Sequence, residues 1–354
     1  MLSIAIPSLN FCGGAEAVTL ELLKHLSDNH RIRLITVDKP NWNKIRSILN
    51  YEIKIEEVYK IDYDLTEHIN AINITRMIIA YNSLLDYATI NMYGDLDLFI
   101  DRAKITYING IPFSIIDEER APIYLNSIIR RVYKHLVKPK KNNILISNSF
   151  YTRSIIKERL GLDSIVIHPP LTIDRSKLES REKEEIVLTV TRIARGKKLE
   201  RVLEIAERLK DTKFVIVGRV YDYPYYYKLL EKSKQINNLT IIVNKPRDVM
   251  IEYMNKAKIL LHTMDYETYG LSIIEGMIAK CIPIVPRNGG PWMDILDSKN
   301  GVYGYAYNSI DEAIKYIEAV DYSIADNAYT RAIQLSEEFY DMFRKVIDTY
   351  ITYI

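Results

Sequence analysis

Glu267-Thr268-Tyr269-Gly270-Leu271-Ser272-Ile273-Ile274-Glu275-Gly276-Met277-Ile278-Ala279-Lys280-Cys281-Ile282-Pro283-Ile284-Val285 runs from a polar loop through an apolar helix into an apolar strand. The strand pattern at 259–262 precedes it, so strand, loop, helix and strand follow in order. That order is the repeating unit of a parallel sheet, whose strands need a crossover to return to the same end. Ligands of open parallel sheets bind beyond the carboxyl ends of the strands, which makes the loop 262–270 the first place to look for chemistry. Gly270 and Leu271 open the helix. Their amides and the positive end of the helix dipole suit an anion, and glycine allows close backbone approach. Glu267 falls in the loop and Glu275 about two turns into the helix, so the two carboxylates can hold different parts of one ligand. Ile273, Ile274, Met277 and Ile278 surround Glu275 in sequence. An unpaired charge there would be costly, which predicts a specific partner for it.

Working outward, strand patterns at 186–190, 214–217, 239–243, 259–262 and 282–285 alternate with helical stretches. The first half shows the same alternation, with strands expected at 2–6, 31–37, 97–100, 105–108 and 144–147 and helices at 15–26 and 122–137. The class is α/β. His168-Pro169-Pro170 marks the joint, because consecutive prolines are stiff and lack amide donors, and charged residues from 174 to 185 extend the connection. Helical patterns at 310–322 and 327–353 close the chain. The domains expected are 1–170, 171–335 and a terminal helix, 336–354.

The 354 residues are 48% hydrophobic and 27% charged, enough for two cores and unlike a disordered chain. A net charge of +2 argues against a nucleic-acid binder, which would need a strongly basic face. Cys12 and Cys281 show no disulfide or zinc spacing. Residues 1–7 read as a strand entering a turn, and no apolar run reaches the roughly 18 residues of a membrane span. The expected location is cytoplasmic, with peripheral membrane contact at most.

Cations gather after the strands of the second half: Arg192, Arg195, Lys197 and Lys198 after the first, Arg219 after the second. Such a rim suits a diphosphate, with arginine giving bidentate bonds and lysine a point charge. Arg192 and Lys197 are the stronger candidates. Near the N-terminus, Gly13-Gly14-Ala15-Glu16 forms a glycine loop between strand and helix. It matches neither the GxGxxG nor the GxxxxGK[ST] pattern, so NAD binding and ordinary ATP hydrolysis lose their main support.

These motifs together resemble the GT4 family of retaining, GT-B-fold glycosyltransferases. The resemblance spans nearly the whole chain and is most specific in the E-x7-E segment from Glu267 to Glu275. It implies two Rossmann-like domains with parallel sheets facing across a cleft, the C-terminal helix returning to the N-terminal domain. It implies a nucleotide-diphosphate sugar as donor, a substrate and not a cofactor, and a hexose moved to a glycan, lipid-linked or small-molecule hydroxyl. Glu267 would face the donor sugar, Glu275 the ribose, and Arg192 and Lys197 would take the R-x4-K diphosphate positions. Tyr269, Gly270, Leu271 and Arg219 would join the donor site, as would Gly13, Gly14 and Glu16 through the family's GG-x-E loop. Asn109 stands where many relatives carry a histidine near the reacting sugar; it can hydrogen-bond a hydroxyl but is not a titrating base. Lys198 and Lys280 replace glycines common in the motifs.

The chemistry expected is a metal-independent front-face displacement. Asp95-Leu96-Asp97 matches a metal-binding D-x-D pattern only superficially, since it precedes a strand where ligand residues follow one. The stretch 122–141 is basic and amphipathic and can read either as a core-facing helix with a charged outer side or as a contact with an anionic membrane. Two other readings of the chain are a nucleotide-sugar epimerase of similar architecture and a catalytically silent sugar-nucleotide sensor.

Overall fold

The computed structural model describes residues 1–49, 55, 57–60, 71–96, 103–111, 143–178 and 182–351. The strand expected at 97–100 and the basic helix expected at 122–141 lie outside the described residues. Among the described residues, thirteen strands form two parallel sheets. The chain divides into two units: Met1–Pro170 together with the chain from Phe339 onward, and Leu171–Glu338. Among the described residues, no helix is long and apolar enough to cross a membrane.

The first unit holds β1 (Leu2–Ala5), β2 (Ile32–Thr36), β3 (Glu57–Lys60), β4 (Ile90–Asn91), β5 (Ile105–Ile108), β6 (Ile144–Ser147) and β7 (Ile165–Val166), in the order β3-β2-β1-β4-β5-β6-β7. β1 is fully buried, with Ile4 registered against Leu34 on one side and Ile90 on the other. The helix Gly14–Ser27 follows β1 and buries Val18, Leu22 and Leu26. The last turns of the Ala325–Ile351 helix belong to this unit: Phe339 and Phe343 pack on the Tyr107 ring at 6.3 and 6.0 Å, and Tyr340 donates to Glu21 at 2.7 Å.

The second unit contains β8 (Glu184–Val190), β9 (Lys213–Gly218), β10 (Leu239–Val243), β11 (Ala257–Leu261), β12 (Ile282–Pro286) and β13 (Tyr305–Tyr307), ordered β10-β9-β8-β11-β12-β13. Side chains alternate across the sheet: Leu188 and Val190 enter one core with Ile251, Met254, Ile273 and Met277, while Val187 enters the other with Val202, Leu229 and Ala313. Burial on both faces is why these strands read as continuous apolar runs. β8 begins at Glu184, inside the stretch expected to be connector, because its first two residues are exposed and carry charge. β4 and β7, of two residues each, are too short to show a period.

Lys198 and Lys280 both adopt left-handed backbone, at φ 51° and 62°. Glycine would take up this backbone without the steric cost that a side chain adds. Lys280 ends the Leu271–Ile278 helix, with its amide on the Met277 carbonyl and that of Cys281 on the Gly276 carbonyl, at 2.9 and 2.8 Å. A left-handed non-glycine residue costs about 1–2 kcal/mol, against about 0.5–1 kcal/mol of extra chain entropy for glycine. Its ion pair with the exposed Asp326 adds little. Lys280→Gly is expected to raise stability by up to about 1 kcal/mol, read as a higher urea midpoint at constant slope. A lower midpoint would show that side-chain contacts outweigh the backbone.

Candidate active site

In the second sheet β8 lies beside β11, and the chain leaves β8 for β9 on one side and β11 for β12 on the other. That reversal opens a crevice at the carboxyl ends of the two strands, lined by the loops that follow them. The loop after β8 is held to β9 by Thr191 donating to the Val217 carbonyl at 3.1 Å and Ile193 to that of Arg219 at 2.8 Å. A Cβ on Gly218 would lie 1.8 Å from the Thr191 carbonyl oxygen, so only glycine fits there.

Lys197 reaches from the first loop to the second. Its Nζ sits 2.5 Å from Glu267 Oε2 and 3.0 Å from Met264 Sδ, and its own carbonyl accepts from Thr263 Oγ1 at 2.7 Å. Burial works to raise the Glu267 carboxyl, but the charges of Lys197, of His262 in its acid form, and of Arg192 outweigh it and hold the group at about 2. Glu267 is thus an anion at neutral pH. Burial lowers the Lys197 ammonium, with Glu267 opposing that change. His262 Nε2 lies 3.7 Å from Glu267, is buried without a hydrogen-bond partner, and is pushed by burial to about 4, which keeps the ring neutral.

The neighbouring cations divide sharply. Lys198 pairs with Asp265 at 2.5 Å, and Arg201 grips the same carboxylate through two bonds of 2.8 and 2.9 Å, so both stiffen the loop. Arg195 pairs with Asp222 at 3.2 Å. Arg192 lies over the Tyr221 ring, 5.4 Å from its centroid, and its charge acts on both Lys197 and Glu267. Arg219 carries a buried Nη1 with no hydrogen-bond partner. Arg195 and Lys198 are thus engaged in loop structure, whereas Arg192 and Lys197 act on Glu267 and Arg219 follows β9 at the same end of the sheet.

Glu267 is braced from behind by Asn288-Gly289-Gly290: Gly290 donates to the Glu267 carbonyl at 2.8 Å, and Asn288 Oδ1 accepts from Tyr266 at 2.9 Å. Gly270, at φ 109°, caps the Leu271–Ile278 helix. Tyr269 turns inward, and its ring is part of the core. Glu275 is 5% exposed, and its Oε1 accepts from Thr172 Oγ1 and Arg247 Nη2, each at 2.9 Å. The partner expected for a buried glutamate is thus present. Neither Thr172 nor Arg247 stands out in the sequence, and the apolar setting of Glu275 is the one signal that pointed to them.

The other candidates lie in the first unit, at the carboxyl ends of β1 and β5. Gly13 caps the Gly14–Ser27 helix, and its amide donates to the buried Glu16 carboxylate at 2.7 Å. This is the reach of an N3 glutamate back to the cap, so Glu16 here shapes the glycine loop. The Asn109 side-chain amide donates to the Met92 carbonyl at 2.6 Å, and Asp95 accepts from the amides of Asn109 and Gly110 at 3.0 and 2.9 Å. Asp95 is raised by burial to about 6 and serves the Asn109 turn. Asp97, its partner in the D-x-D pattern, lies outside the described residues.

Both sheets share the strand order of dinucleotide-binding folds, and the second joins cations to a carboxylate at the switch point: the class is a two-domain α/β protein of GT-B architecture. Residues 172–330 match the family model for glycosyl transferases group 1. The match lies wholly within the second unit, Leu171–Glu338, so the likeness to that family is carried by this unit. Over 223 residues it is 23% identical to the GDP-Man:Man(3)GlcNAc(2)-PP-Dol alpha-1,2-mannosyltransferase of Dictyostelium discoideum, a match spanning 56% of this chain and 43% of that protein. A probable sucrose-phosphate synthase of Thermosipho melanesiensis is 31% identical over 172 residues, spanning 46% and 37%. The chain thus aligns with well under half the length of these relatives. Among solved structures, Anabaena HepE in complex with UDP and glucose superposes with a TM-score of 0.70 at 15% identity, covering 97% of this chain and 99% of that one. WaaG, a glycosyltransferase involved in lipopolysaccharide biosynthesis, gives 0.67 at 16% identity, covering 99% of both. These likenesses share the fold.

Proposed function

We propose that the chain is a retaining glycosyltransferase that takes a hexose from a nucleoside diphosphate sugar and passes it to the hydroxyl of a glycan or lipid-linked acceptor. The observation that carries this reading is the rim at the β8/β11 switch point, where Lys197 pairs with the ionised Glu267 and the charge of Arg192 acts on both, while Arg219, with its unsatisfied Nη1, follows β9 at the same end of the sheet. In the proposed step the bond from the anomeric carbon to the diphosphate oxygen breaks while the acceptor oxygen bonds to that carbon. The acceptor proton passes to the departing diphosphate. The three cations stabilise the charge that grows on the leaving group, and the amides at Gly270 and Leu271 add to them. Glu267, held as an anion, accepts hydrogen bonds from sugar hydroxyls and has no proton to give. No protein nucleophile or metal enters this route. The mannosyltransferase relative and the UDP complex of HepE favour a hexose on UDP or GDP. Relatives named for a dolichol-linked substrate and for a glucosyldiacylglycerol product favour a lipid-linked acceptor, which the basic stretch 122–141 would meet at an anionic membrane.

The test is thermal unfolding against a panel of UDP- and GDP-sugars. A ligand at about 100 times its Kd stabilises the native state by about 2.7 kcal/mol, a shift of roughly 5–10 °C for a unit of this size. The expected result is a shift with at least one nucleotide sugar, accompanied by nucleoside diphosphate release when an acceptor is added. No shift with any member would overturn the reading. Release of an isomerised nucleotide sugar without acceptor would identify an epimerase instead.

A further inference from the structure

Arg247 opens the Arg247–Lys256 helix, and its side chain is only 16% exposed. Its Nη2 is 2.9 Å from both Glu275 Oε1 and Thr172 Oγ1, while Thr172 Oγ1 donates to the same carboxylate oxygen. Both bonds to the carboxylate fall on Oε1, which leaves Oε2 to accept from a ligand. Nη1 of the same guanidinium is buried and has no hydrogen-bond partner. The ion pair therefore leaves one acceptor and one donor unused, and it is fixed by the Thr172 hydroxyl and by the helices that carry Arg247 and Glu275.

The chemistry of this pair selects its ligand. A phosphate would meet the Glu275 carboxylate and be repelled, a carbonyl would use the donor alone, and an amine would use the acceptor alone. Hydroxyls both give and accept, so a vicinal diol satisfies both groups together. We propose that Arg247 is a second nucleotide-binding residue, which clamps the ribose diol jointly with Glu275 and makes the site selective for ribonucleotides over their deoxy forms. This assignment rests on reading the second unit as a nucleoside diphosphate sugar site.

Calorimetric titration of the full chain with UDP and GDP, and with their 2′-deoxy and 3′-deoxy forms, tests it. The unaltered protein should bind the ribonucleotide about tenfold to a hundredfold more tightly than at least one deoxy form, the worth of a hydrogen bond to a charged group. Arg247→Lys keeps a cation beside Glu275 but lacks the second N–H. It should weaken the ribonucleotide by about tenfold, leave that deoxy form nearly unchanged, and so shrink the ratio. Arg247→Ala should do the same, and a circular dichroism spectrum checks its fold. An unmoved ratio in a folded variant, or equal losses for ribo and deoxy ligands, would show Arg247 to be a counterion of Glu275 alone and overturn the assignment. Failure of every nucleoside diphosphate to bind the unaltered protein would overturn the proposed function and this assignment with it.

Discussion

Lys197→Ala is expected to lower turnover by roughly 10²–10³-fold and to destabilise the second unit by about 3–5 kcal/mol. The two losses have separate causes. Turnover falls because the ammonium at the switch point no longer meets the charge developing on the leaving diphosphate. Stability falls because Glu267 remains, with its carboxylate deprived of the partner 2.5 Å away in a site where both side chains are largely buried. Replacing both members by neutral groups separates them. Lys197→Met with Glu267→Gln should recover most of the stability, since neutral substitutes for a buried ion pair are often as stable as the pair. It should recover none of the activity. The pH dependence follows from the same pair: stability contributed by the depressed Glu267 carboxyl is present above its ordinary 4.5 and lost as pH falls through about 2. The double variant should lack that acid-side component. Ordinary turnover in a folded Lys197→Ala protein would remove the diphosphate role from Lys197.

Gly290→Ala should be comparably severe, although it alters no charged or polar side chain. A Cβ at this position would stand 2.2 Å from the Thr268 carbonyl oxygen and 2.9 Å from the Tyr269 Cα, both backbone atoms that cannot rotate away. Gly289 is as constrained, with φ 74° and a Cβ that would lie 2.6 Å from the Glu267 carbonyl oxygen. Accommodation requires moving the loop that carries Glu267 and with it the partner of Lys197. Displacing a reacting group by about 1 Å can cost about 10²-fold in rate. The expected result is a loss of that order in turnover, with unfolding at least 2 kcal/mol easier, as for other clashes forced on a special backbone geometry. Activity within threefold of the unaltered protein would mean that the loop has slack and that Glu267 does not depend on it.

Much of this was legible in the residues themselves. The apolar runs of β8, β9, β11 and β12 announce strands buried on both faces, and the strand, loop and helix around Glu267 and Glu275 follow from local periodicity and from glycine at the helix start. Arg192 and Lys197 could be placed at the rim because loops that follow parallel strands emerge at one end of the sheet. What the sequence could not show is which rim residues meet. Lys197 and Glu267, seventy positions apart, touch because the sheet order sets β8 beside β11. Lys198, one residue from Lys197, is taken instead by Asp265, and Arg247 finds Glu275 through the packing of two helices. Periodicity is a property of neighbours along the chain and so determines elements and faces. Partner choice depends on strand order and helix packing, and only the tertiary structure decides which charges are neutralised within the protein and which donors and acceptors are left facing a ligand.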